Sequence, residues 1–160
     1  MLINKAGKSF FTILILGFYF SMIISCGKTK GYNPDIPPAM VQIDIQPDAI
    51  FYQKLNTVGG WIYLKNGDPG VYLSPESRGV IIYRLSQDVF KVYDRIPPNN
   101  PNKCGNTTQL IVGDNYPFAK DPCTLDLYQL LDGNLFKGNG VYPMIQYKSY
   151  YDGTSLHVYN

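Results

Sequence analysis

Asp121-Pro-Cys-Thr-Leu-Asp-Leu-Tyr-Gln-Leu-Leu-Asp-Gly133 joins a polar, cysteine-bearing loop to a short run of alternating side chains and a closing glycine. Residues 125–129 read as a strand, and Gly133 as the end of a turn. The same period of two runs through the chain on either side. Val41-Gln-Ile-Asp-Ile45 alternates apolar and polar positions as a half-buried strand does. Residues 61–64, 79–85 and 89–93 are β-branched and aromatic runs, and 109–112, 145–151 and 155–159 continue the series. Asn66-Gly-Asp-Pro-Gly70, Ser86-Gln-Asp88 and Tyr151-Asp-Gly-Thr154 supply turns between them, the last two as tight hairpins. Only residues 49–55 could form a helical turn or two. No internal repeat is present. The pattern predicts an all-β fold of short antiparallel strands, a small sandwich or barrel.

The N-terminus reads as an export signal. Lys5 and Lys8 precede an apolar run, Phe10 to Phe20, and Ile23-Ile-Ser-Cys26 ends it. Thr12, Gly17 and Ser21 interrupt that run, which is short of the ~20 residues a membrane span needs. Two aliphatics and a small residue directly before a Cys resemble the lipobox of bacterial lipoproteins. That resemblance implies cleavage of residues 1–25 and acylation of Cys26. Three acyl chains, each contributing about 0.8 kcal/mol per buried CH₂, would make release from the membrane negligible. Residues 26–40, rich in Gly and Pro, read as the lipidated Cys and a flexible tether, with one domain over 41–160 after it. No acidic residue directly follows Cys26, so the anchor implies a cell-envelope location that faces the periplasm, on the inner or outer membrane.

Lys5 and Lys8 leave with the signal, so twelve basic side chains of the fourteen remain against twelve acidic ones. No basic patch is left to argue for nucleic acid or acidic phospholipid as a partner. With Cys26 acylated, Cys104 and Cys123 are an even pair in an oxidising compartment, which predicts a disulfide.

The stretch from Asp121, continued by Asn134-Leu-Phe-Lys-Gly-Asn-Gly-Val-Tyr-Pro-Met-Ile-Gln-Tyr147, resembles the second cluster-binding box of Rieske iron–sulfur proteins and the segment after it. In that family the box reads Cys-Pro-Cys-His-Gly-Ser. Here Asp121 stands at the ligand Cys and Thr124 at the ligand His, while Cys123 falls on the non-ligand Cys that forms a disulfide in the cytochrome bc type. Counting back from Cys104 puts Asn99 and Pro101 at the ligands of the first box; a count forward from Asp94-Arg95 puts Pro97 and Asn100 there instead. The resemblance covers about residues 58–160. It implies three stacked antiparallel sheets with the cluster loops at one tip, stapled through Cys104 and Cys123.

A Rieske cluster takes two thiolates on one iron and two imidazoles on the other. After the signal the chain holds a single His, His157, in the last strand. The implied domain has therefore lost its cluster and carries no cofactor. A crosslink closing the 104–123 loop contributes about 3 kcal/mol in the chain-entropy account. The competing reading, a redox couple, has no Cys-x-x-Cys spacing or adjacent His behind it, only Lys103 and Lys120 to lower a thiol pKa. Asp114, Asp121 and Asp126 lack the spacing of a calcium loop and read as solvated turns. No nucleophile motif supports catalysis. Tyr116, Phe118 and Tyr128 read as packing for the loops, or as a partner surface kept at the tip. The expected protein is a non-catalytic envelope lipoprotein, held to the membrane by its anchor, that acts on an envelope protein or small ligand. The alternative is an electron-transfer protein using a cluster or the Cys104/Cys123 pair.

Overall fold

The computed structural model describes residues 31–160. The lipobox and Cys26 lie outside the described residues. Among these residues ten strands occur in chain order: β1 (Val41–Ile45), β2 (Trp61–Leu64), β3 (Val71–Leu73), β4 (Val80–Arg84), β5 (Phe90–Asp94), β6 (Phe118–Lys120), β7 (Leu127–Gln129), β8 (Leu135–Lys137), β9 (Gln146–Tyr151) and β10 (Leu156–Tyr159). All pairings are antiparallel. Seven strands make one sheet in the order β2-β4-β5-β9-β10-β1-β3, curled into a nearly closed barrel. The other three, β6-β7-β8, form a small sheet inserted between β5 and β9.

Periodicity explains the large sheet. Val41, Ile43 and Ile45 point inward from β1 while Gln42 and Asp44 face out. β4 is different, because Val80, Ile81 and Ile82 are all fully buried. Val80 and Ile82 join the barrel core, and Ile81 joins a second core with Tyr93, Leu110, Val112, Tyr128 and Leu130. A strand covered on both faces needs an unbroken apolar run, and this one has it. Each such side chain contributes about 1.5–3 kcal/mol on burial. The second core sits between the barrel wall and the small sheet, so the small sheet is held by packing as well as by its loops.

The two hairpin turns form as expected. Leu85 N–H donates to Val89 O at 2.8 Å, and Asp152 N–H to Ser155 O at 3.2 Å across Gly153 (φ 97°). Residues Ile50–Asn56 form a 3-10 helix that covers one end of the barrel with Tyr52 and Leu55. Three strands, β3, β6 and β8, are absent from the pattern reading because each is only three residues long between Gly or Pro. Residues 109–112 do not form the expected strand. Only Ile111 bridges to Lys120; the Val112 N–H goes to the Tyr63 hydroxyl instead (2.6 Å), while Leu110 and Val112 fill the second core.

The expected flexible tether through residue 40 is corrected in its second half. Asn33, Ile36 and Ala39 are buried against the body. The Asn33 amide donates to Pro98 O at 2.9 Å, and Asn160 caps the segment through Ala39 O. The prolines between positions 33, 36 and 39 mask their regular spacing.

Candidate functional site

Strand directions place three loops at one end of the molecule. β5 ends at Asp94 and opens into residues 95–103; the β6–β7 turn is residues 121–126; and β8 gives way to residues 138–143. The two tight hairpins lie at the other end. These loops line an open groove of about 1060 Å³, with Asn33 and Asp35 along one side.

Asn99 is the hub of the tip. Its amide donates to the Tyr128 hydroxyl (2.8 Å) and to Tyr142 O (3.1 Å), and its carbonyl oxygen accepts from Val141 N–H (2.7 Å) and Tyr142 N–H (3.0 Å). One buried side chain thus ties the first loop to the third, using its full donor and acceptor capacity. Tyr128 is fully buried, and burial pushes its phenol well above the usual range, so it stays neutral. Its hydroxyl reaches Asp126 Oδ2 at 3.4 Å. Asp126 Oδ1 accepts Asn139 N–H at 3.1 Å, which brings the third loop onto the second. Gly138 and Gly140 permit that approach. A Cβ on Gly138 would lie 2.0 Å from Asp126 Oδ1, and one on Gly140 would lie 2.5 Å from Asn99 Nδ2.

The second loop is built around Asp121. Its carboxylate accepts Cys123 N–H (2.8 Å) and the Thr124 hydroxyl (2.7 Å), while its backbone accepts Leu125 N–H (2.9 Å). Such a turn closes through a left-handed residue, a place that favours Gly. Here it is Leu125 (φ 65°), 61 % exposed and outside β7, which begins at Leu127. Among the described residues, Asn100 (φ 52°) is the other non-glycine residue with positive φ. The Cys104–Cys123 disulfide joins the first and second loops with Cα atoms 5.8 Å apart, ordinary for such a bond. A disulfide suggests an oxidising, extracytoplasmic location.

Two further groups position the first loop, and neither carries a sequence motif. The Arg78 guanidinium donates to Pro101 O, Thr108 O and Asn102 Oδ1 at 2.6–2.8 Å. Asp94 is fully buried and accepts Ile96 N–H (2.8 Å) and the Tyr147 hydroxyl (2.7 Å). Burial raises its carboxyl pKa, against the opposing pull of those hydrogen bonds. Arg followed by Gly before a strand, and Asp at the end of one, give no signal beyond turn composition.

The structure brings Asn99, Pro101, Asp121, Thr124, Cys104 and Cys123 to the tip. Of the aromatics expected there, only Tyr128 reaches it. Phe118 lies at the far end of β6 stacked on Phe136, and Tyr116 sits beside Gly59 and Trp61, because β6 runs away from them toward the tip. Asp121 and Asp126 are buried in turn hydrogen bonds rather than solvated, and Asp114 belongs to a separate 3-10 turn. Among the described residues, no group of three His, Cys, Asp or Glu is arranged to hold a metal ion. A Rieske cluster does not fit this donor set. The resemblance would put amide, proline, carboxylate and hydroxyl at its ligands, both tip cysteines are bonded to each other, and His157 faces Asp44 and Asp152 from β10.

No family model, curated protein or solved structure matches the chain.

Proposed function

We propose that this protein is an envelope lipoprotein whose domain is a Rieske-like scaffold without its cluster, serving as an interaction module rather than an enzyme. The sheet plan supports the scaffold. β1, β3 and β10 with the far half of β9 make one layer, β2, β4 and β5 with the near half of β9 a second, and the inserted β6–β8 a third. One observation carries the functional reading. Asn99, at a ligand-Cys position of the first box, knits the loops together with four hydrogen bonds where the resembled family uses metal. A tip closed in this way keeps its shape for contact while offering nothing to conduct electrons.

Purification of the chain from cells that assemble iron–sulfur proteins tests both halves of the reading. Acylation of Cys26, less than a tenth of an iron per chain and an intact Cys104–Cys123 bond are expected. Two irons and two acid-labile sulfides per chain would refute it. The alternative, a dithiol–disulfide couple, draws on the exposed position of Cys104. A midpoint potential below about −300 mV, as in structural disulfides, would count against that alternative.

A further inference from the structure

Asn33 lies seven positions after Cys26, and its side chain is bonded to the first tip loop and lines the groove between the loops. Fully extended, seven residues span about 25 Å at most. An anchor at Cys26 is therefore within that reach of the tip. Strand order agrees: Val41 opens β1 at the tip end, its N–H donating to Asn160 Oδ1, whereas Ile45, opposite Leu156, leads away to the other end. The groove lining includes Leu125 and Val141, 61 % and 54 % exposed, with half-buried Pro101 between polar neighbours. Leu125 holds its apolar side chain in solvent at a left-handed backbone position that favours Gly or Asn. Strain retained at an exposed apolar residue points to a contact that uses that side chain.

We propose that the tip, through Leu125 and Val141, rests on the bilayer that carries the Cys26 anchor, holding the domain upright with its hairpin end outward. This rests on the lipoprotein reading above. The contact is made by these apolar side chains, and it is insensitive to salt. The larger apolar pair Ile50 and Phe51, each 76 % exposed, comes after β1 at the opposite end and is directed away from the membrane.

The full lipidated chain in phosphatidylethanolamine–phosphatidylglycerol vesicles provides the test. An environment-sensitive fluorophore is attached through Asn139→Cys, whose side chain takes no part in the loop network, or through Asp88→Cys in the far hairpin. The expected result is a blue shift with quenching by bromolipids at 139 and neither at 88, unchanged in 0.5 M salt. Leu125→Asn with Val141→Asn removes the shift while the acylated protein still floats with the vesicles and keeps its melting temperature. An acylated, floating protein with no shift at 139, or with equal shifts at both sites, overturns the proposal and leaves the lipoprotein reading standing. A shift seen in native membranes but absent in pure lipid overturns it in favour of a protein partner. An unmodified Cys26 overturns the lipoprotein reading and the proposal together.

Discussion

The barrel and the tip solve the same problem with opposite materials. In the barrel, fifteen buried residues from eight elements exclude water, and no side chain is special. At the tip Ile96, Pro97 and Pro98 are buried as well, but the loops are tied to one another by one amide, two carboxylates, a guanidinium and a disulfide. Apolar packing is additive and tolerant, whereas a polar network fails where any member is lost, because each orphaned group keeps its desolvation cost. Barrel substitutions should therefore lower global stability, and tip substitutions should loosen three loops while the barrel persists.

The largest effect belongs to the barrel. Leu156→Ala, a fully buried side chain, is expected to cost about 3–4 kcal/mol in urea unfolding. A loss below about 1 kcal/mol would show that the barrel core is loosely packed. Replacing both tip cysteines by Ser should cost about 3 kcal/mol in the chain-entropy account. The comparison sharpens if proteolysis of the double variant begins at residues 99–107 or 121–126 before any barrel strand is cut. Asn99→Ala leaves the Val141 and Tyr142 N–H groups and the Tyr128 hydroxyl without their partner, an expected loss of about 2–3 kcal/mol. Equal destabilisation by Asn99→Asp, which keeps the acceptor but loses the donor, would show that the donated bonds dominate.

Asp94 stands where the two regions meet and makes a pH-dependent prediction. Its folded-state pKa is raised by burial, so the folded protein holds the proton more tightly than the unfolded chain. Stability should fall as pH rises from the ordinary carboxylate range through the elevated value, and level off above it. Asp94→Asn should flatten that decline in thermal melts taken upward from the ordinary carboxylate range. The smallest effect is at Leu125. Leu125→Asn should leave stability unchanged or raise it by up to about 1 kcal/mol, since Asn tolerates the left-handed backbone.

Legibility in the sequence divides along the same line. β1 is readable to the residue from its alternation and β2 from its run of β-branched and aromatic side chains. β3, β6 and β8 are not, since three residues carry too little periodicity, and neighbours across the sheet fix them instead. At the tip, composition identifies the Cys104–Cys123 pair and the turn at Asp121. Nothing in the spacing reveals that Asn99 reaches Tyr142 across 43 positions, or that Arg78 clamps Pro101. Leu125 reads as part of the strand because an apolar residue beside alternating ones fits it. Only the backbone shows that Leu125 closes the turn and that the strand starts after it.

Native-state hydrogen exchange at Val141 and Tyr142 tests most directly the claim that Asn99 holds the tip closed. Both amides should be protected in the wild-type protein at a level between the barrel strands and the free loops. In Asn99→Ala their protection should vanish while that of β1 and β10 is unchanged. Exchange at open-loop rates in the wild-type protein would contradict the account.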